Sequence, residues 1–397
     1  MRNSRRVSGL LAGVGLVLLG IVGLVVLLVA LGAIVPGLWQ LSGYATVGVT
    51  WLGPTLVVAG LVATILALVL RRRARRTGTV VAAMSGVGTV ALAVVVGLVV
   101  AAAVEAGGSV DLLRAVAPHG DISVPDAHPQ YGTGPDGRPL YTAVYDPRGA
   151  TGPAPVFVYV HGGGWSGGSE LDNSADMRWF ADRGRLVVSV GYTLVTEGRP
   201  TWDVAGPQVA CALTQVAQFA AARGGDPSRI VLAGDSAGGQ LAISVAYHAA
   251  SGTQPSACGG RVPVPRGVLV QYPATDLVDA WELGTGVGEP DVPAKPIGEA
   301  YLGGTPAQVP DRYAALSGVP AITPAAPPTL VLGPTDDELV PPGGVARFVD
   351  AARTAGLDAT LVRVPFANHA YDLLAYESLG NQFRRTVSER WLTDRGW

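Results

Sequence analysis

Lysine is nearly absent from this chain: Lys295 is the single one among 397 residues, so arginine carries the positive charge. Charged residues of both signs reach only 15%, against roughly 25% in an ordinary soluble domain. Cysteine is scarce too, with two residues in all, which excludes a disulfide-dense small domain. A formal net charge of −2 provides no global field to recruit nucleic acid. The apolar content, 49%, excludes a disordered chain. The deficit in charge is local. No Asp, Glu, Lys or Arg occurs from Val7 to Leu70 or from Thr77 to Val104, and beyond Glu105 charges recur regularly.

The two uncharged runs hold three stretches long enough to cross a bilayer, which takes roughly 20 residues each. They cover about Leu10 to Ile34, Thr46 to Leu70 and Val80 to Val104. Pro36, Gly37 and Gly43 mark the turn between the first two, with Trp39 and Tyr44 as interfacial aromatics. The first stretch is too long for a signal-peptide core, and two more follow it. Arg2, Arg5 and Arg6 precede the first span, and Arg71, Arg72, Arg73, Arg75 and Arg76 separate the second from the third. Positive charge stays inside. The reading is a multi-pass protein of the cytoplasmic membrane, with a cytoplasmic N-terminus and everything after the third span outside. The bilayer is then a partner, and the 71–76 cluster faces anionic lipid rather than nucleic acid. Without Asp, Glu, Lys, Arg or His in any span, a transport pathway has no residue to run through.

Residues 1–106 thus form a membrane region, 107–130 a tether rich in Gly, Pro, His and Asp, and 131–397 a soluble domain. Short apolar runs in that domain predict strands at Leu140–Tyr145, Val156–Val160, Leu186–Gly191, Ile230–Ala233, Gly267–Gln271, Thr329–Leu332 and Thr360–Val364. Helical patterns fall at about 174–183, 207–223, 237–250, 343–355 and 377–395. This alternation predicts an α/β fold: a mostly parallel sheet with helices on both faces. Residues 276–325, rich in Pro and Gly, read as a lid-like excursion over the sheet. Cys211 and Cys258 are either a disulfide, as an exported pair can be, or two buried thiols.

Four elements carry chemistry. Gly234-Asp235-Ser236-Ala237-Gly238 follows a strand and opens a helix, the setting in which a serine oxygen projects from a sharp turn. His161-Gly162-Gly163-Gly164-Trp165 follows another strand, and its glycines let backbone N–H groups of Gly163 and Gly164 face a developing oxyanion. The amide of Ala237, at a helix N-terminus, adds a further donor. Thr335-Asp336-Asp337-Glu338 supplies an acid, Asp337 being chosen over Asp336 because it begins the segment leading into the next helix. His369, the last histidine, follows a late strand and can take the proton from Ser236 and return it to a leaving group. His119 and His128 lie in the tether, His248 in a helix, and His161 braces the glycine loop. The order Ser236, Asp337, His369 matches the serine, acid, histidine order of α/β-hydrolases.

The stretch from Asp226 to Ala242 (DPSRIVLAGDSAGGQLA), with His161–Trp165 upstream, resembles the hormone-sensitive-lipase-like esterases of the α/β-hydrolase fold, and also their feruloyl- and acetyl-esterase-like branch. The resemblance covers roughly residues 140–395. It implies a carboxylic ester hydrolase that needs no cofactor and no metal, with Gly163 and Gly164 in the oxyanion role and Trp165 and Tyr192 beside the substrate. Three features depart from the family pattern: Thr193 stands where an arginine is usual, Val195 follows Leu194 where Ala-Pro is usual, and Pro207-Gln208 replaces an acid early in the next helix. The expectation is a membrane-anchored extracytoplasmic esterase for short-acyl esters, on envelope glycan, lipid or external substrates. An acyltransferase using the same acyl-enzyme, or a silent scaffold domain, stands as the alternative.

Overall fold

The computed structural model describes residues 2–35, 37, 38, 40–373 and 375–397. Pro36 and Trp39, two of the turn residues singled out above, lie outside the described residues. The chain divides into two compact units. One comprises Met1–Gly120, Val287–Pro290 and Val364–Val387; the other comprises Asp121–Gly286, Asp291–Arg363 and Ser388–Trp397.

In the first unit, α1 (Arg2–Ile34), α2 (Gln40–Leu70) and α3 (Arg75–Glu105) are long helices, followed by the single turn α4 (Leu112–Ala115). All three long helices have the length and apolarity to cross a membrane, over Gly9–Ile34, Gln40–Leu70 and Arg75–Glu105. They begin before the expected spans, α1 and α3 inside their arginine-bearing flanks, while α1 and α2 end at Ile34 and Leu70 as expected. Their mutual faces are small. A side chain at Gly60 would strike Thr89 and Val26, and one at Gly88 would strike the backbone of Leu27, so the helices approach closely where small residues permit. Leu11, Val17, Val87 and Val90 point outward. Pro54 sits inside α2, as neighbouring helices in a bundle allow.

The second unit is built on an eight-stranded sheet in the order β1-β2-β4-β3-β5-β6-β9-β10. Its strands are β1 (Gln130–Thr133), β2 (Pro139–Tyr145), β3 (Ala154–Val160), β4 (Leu186–Val190), β5 (Gly225–Asp235), β6 (Gly267–Gln271), β9 (Thr329–Pro334) and β10 (Ala359–Val364), with β7 (Thr285–Gly286) and β8 (Glu289–Pro293) forming a separate pair. β1 and β2 pair antiparallel, as do β2 and β4; from β4 through β3, β5 and β6 to β9 every pairing is parallel. Every residue of β4 and β6 is buried, as expected of strands covered on both faces. The helices between them are α5 (Ser174–Ala181), α6 (Ala205–Phe219), α7 (Ser236–Ser251) and α11 (Pro342–Thr354); α12 (Leu379–Thr393) belongs to the first unit as far as Val387 and to the second from Ser388 on.

The 276–325 excursion is more ordered than its composition implies. It contains α8 (Leu277–Leu283), α9 (Lys295–Leu302) and α10 (Pro310–Leu316). The prolines of α9 and α10 sit in their first turns, where a missing N–H costs nothing. The expected tether is likewise not bare: α4 lies within it, and Ala127 bridges to Val144. Cys211 of α6 and Cys258, beyond α7, are joined as a disulfide.

Candidate active site

Ser236 stands where β5 becomes α7, with φ of +50°. A non-glycine residue holds this left-handed conformation only when its surroundings fix it. The surroundings here are tight: a side chain at Gly238 would drive into the carbonyls of Val160 and His161. Glycine at this position is what lets α7 start directly against the end of β3. The Ala237 amide opens that helix, and the residue is buried.

The glycine loop leaves β3 at Val160. Gly163 and Gly164 have φ of +99° and +58°, and a side chain at Gly163 would collide with the carbonyl of Gly167. Asp235, the residue before the serine, holds this loop from below. Its Oδ1 accepts the backbone N–H of Gly162 at 3.0 Å and the hydroxyl of Tyr159, which in turn accepts from Asn173 Nδ2 at 3.0 Å. Asp235 is buried, so these donors replace the water its carboxylate gives up. Sequence reasoning passed over Asp235, Tyr159 and Asn173. The motif marks Asp235 only as a variable position, and its partner lies 73 residues away in the chain.

A second layer supports the loop. The Tyr192 hydroxyl donates to the His161 carbonyl at 3.1 Å, and the two rings stack at 4.4 Å. Burial holds the His161 imidazole below its ordinary pKa, against the opposing pull of the Gly162 carbonyl, Asp172 and Glu170. Burial first, then Asp235, Tyr301 and Asp172, push the Tyr192 phenol well above its ordinary range, so it remains a neutral donor. Trp165 is buried, its ring stacked on Tyr301 of α9 at 4.2 Å and its Nε1 donating to Gln240 Oε1 at 3.3 Å. Gln240 Nε2 donates to the Leu316 carbonyl of α10. Trp165 and Tyr192 therefore occupy bracing positions, and Trp165 ties the excursion to the glycine loop. Two of the departures from the family pattern, Thr193 and Gln208, meet each other. Thr193 N donates to Gln208 Oε1, and Gln208 Nε2 donates to Thr193 Oγ1, both at 2.8 Å.

Asp337 and Asp336 part company after β9. Asp337 is buried and its Oδ1 accepts the backbone N–H groups of Leu339 and Val340 at 3.0 and 2.8 Å. Asp336 is exposed, beside the Thr335 hydroxyl at 2.6 Å. Ser236 and Asp337 thus both follow C-terminal ends of strands in the parallel part of the sheet, where open α/β sheets place ligands. An open cleft of about 640 Å³ begins at Ser166, directly after the glycine loop, and is walled by Val195, Arg199, Pro200, Glu299 and Gly303.

His369 follows β10 and belongs to the Val364–Val387 segment of the first unit. It is buried, its backbone N–H donates to Asn368 Oδ1 at 2.7 Å, and Phe366 and Ala370 on either side have φ of +54° and +58°. The loop carrying it is clamped to α12: Arg384 Nε meets Asp372 at 2.8 Å with both side chains buried, and Arg385 meets Glu377 at 2.8 Å. Neither pair was legible beforehand.

A parallel sheet, a strained serine between strand and helix, and a braced glycine loop define an α/β-hydrolase. The BD-FAE family matches residues 143–350, just over half of the chain, and the chain belongs to that family. It is 40% identical to carboxylesterase NlhH of Mycobacterium tuberculosis over 107 residues, 27% of this chain and 33% of that protein. It is 28% identical to esterase LipQ of the same species over 224 residues, 56% of this chain and 51% of that protein. These matches span between a third and about half of the relatives' own lengths. Among solved structures, Thermogutta terrifontis esterase 2 aligns over 69% of this chain and 96% of its own, with a TM-score of 0.57 and 21% identity, and so shares the fold.

Proposed function

We propose that this protein is a membrane-anchored carboxylic ester hydrolase with Ser236 as nucleophile. The observation that carries it is the junction of Ser236 and the glycine loop: a serine in left-handed backbone whose neighbouring Asp235 hydrogen-bonds the loop that begins with Gly162. The names of the relatives, carboxylesterase and esterase, point the same way.

In this reading Ser236 Oγ attacks the ester carbonyl. His369 removes its proton, and Asp337 orients the imidazole and stabilises its cation. The amides of Gly163, Gly164 and Ala237 receive the oxyanion, each donor contributing about 2.7–4 kcal/mol in the transition state. His369 then protonates the departing alcohol, and water deacylates the serine. Trp165 and Tyr192 act as positioning residues, and the cleft beginning at Ser166 receives one half of the ester. α1, α2 and α3 span the cytoplasmic membrane with Arg2, Arg5, Arg6 and the 71–76 arginines inside, which leaves the hydrolase domain outside. The Cys211–Cys258 disulfide supports that side, since such bonds persist in oxidising compartments.

The test is hydrolysis of p-nitrophenyl acetate, butyrate and octanoate by the purified full chain and by Ser236→Ala. Turnover by the first and none by the second is expected, with the acyl trend sizing the cleft. Equal turnover by both, or none by a folded wild type, overturns the reading.

A further inference from the structure

α2 and α3 run antiparallel in constant register: a side chain at Gly53 would meet Val96, one at Gly60 would meet Thr89, and one at Gly78 would meet Arg71. This register sets Glu105, where α3 ends, level with Tyr44 near the start of α2. The chain does not continue outward from there. The Thr55 hydroxyl donates to the Val116 carbonyl at 2.6 Å, and from Tyr44 to Thr55 the α2 axis advances about 16 Å at 1.5 Å per residue. Residues 106–116 therefore double back along α2.

The depth reached follows from the other end of the helix. Arg71 marks the boundary of the apolar run, and Thr55 lies about 24 Å from it along the axis. A hydrocarbon core is about 30 Å thick, so Thr55 and Val116 sit roughly 6 Å beneath its far boundary, and tilting the helix only deepens them. At this depth Leu113 is 87% exposed and Leu112 is 44% exposed, while Ala115 is fully buried. The backbone ends of the turn find partners inside the protein, while the charged ends of Arg114 and Asp111, 68% and 51% exposed, reach back toward the headgroups. Asp111 caps the turn by accepting from Leu113 N and Arg114 N, and Thr55 covers Val116. Arg114 pairs with Asp111 and with Glu377, each at 3.5 Å.

We propose that residues 111–117 form a re-entrant membrane contact, with Leu112 and Leu113 dissolved among the acyl chains of the leaflet that holds the α1–α2 turn. It is a fourth membrane attachment beside the three spans, and it rests on the spanning reading of α2. Lipid is the occupant because the turn is continuous with the lipid-facing helices and lies at their depth.

The experiment places a nitroxide label on the full chain in phospholipid nanodiscs at Leu113→Cys, with Val58→Cys as the lipid reference on α2 and Asp350→Cys as the aqueous one. The disulfide leaves Cys211 and Cys258 unlabelled. Leu113 is exposed, so the label itself displaces no packing. The expected result is an oxygen-over-nickel-chelate collision ratio at Leu113 shifted from the Asp350 value to the Val58 value. A ratio at Leu113 matching Asp350, with Val58 lipid-like, overturns the contact and leaves the spans intact. A water-like Val58 overturns the spanning reading, and this inference with it.

Discussion

Asp235 accepts the Gly162 backbone N–H at 3.0 Å, so the residue beside the serine also fixes the glycine loop at its first glycine. Hydrogen bonds to charged groups contribute about 1.5–3 kcal/mol, which in a barrier is roughly 10- to 150-fold in rate. Asp235→Ala should lower kcat by that factor with KM little changed, and Asp235→Asn should lose less because one acceptor oxygen survives. Steady-state kinetics on both variants check this. A fall confined to KM would contradict a role in aligning the loop.

Burial separates the two adjacent acids. Asp337 is buried with two backbone N–H donors on one oxygen, whereas Asp336 is exposed. Asp337→Asn should reduce kcat by about 10⁴-fold, the size of effect seen when a triad acid can no longer hold the histidine. Asp336→Asn should leave kcat within a small factor of wild type. The reverse pattern would move the acid role to Asp336.

The disulfide closes a loop between residues 47 apart in sequence. Chain entropy alone makes such a link worth about 4 kcal/mol. Cys211→Ser with Cys258→Ser should therefore lower Tm markedly, and the wild type should migrate faster on a non-reducing gel than after reduction. An unchanged Tm would mean the pairing contributes nothing to the fold.

Protonation of His161 works against the native state. Its folded pKa is depressed by burial from an ordinary 6.5, so the unfolded chain binds the proton first. Stability is then complete above the ordinary value and is lost as pH falls through it, by up to about 1.4 kcal/mol per pH unit for one proton. Thermal melts between pH 8 and pH 5 should show Tm dropping below about pH 6.5, with a shallower slope in His161→Phe. An identical slope in the variant would assign the effect to another group.

Much of the fold was legible because its signals are local. β6 falls at Gly267–Gln271 as expected, since a short Val/Leu run bounded by Pro265 and Pro273 is too short for a helix. The strand–serine–helix and strand–glycine-loop junctions were visible for the same reason. β1 was missed because Gln130–Thr133 buries a single residue and shows no pattern. The order within 276–325 was hidden because proline reads as a breaker, yet at Pro296 and Pro310 it starts helices. Asp235 with Gly162, and Asp372 with Arg384, could not be seen at all. A charged residue carries no sequence mark of being buried, and only the folded chain brings its partner to it.

The most direct test of the central claim is covalent. The full chain is treated with a fluorophosphonate probe, digested, and the adduct located by mass spectrometry, in parallel with Ser236→Ala. A single adduct on the peptide containing Ser236, absent from the variant and accompanied by loss of ester turnover, is the outcome this account requires. An adduct on another residue, or a folded wild type that remains unmodified while still hydrolysing ester, would contradict it.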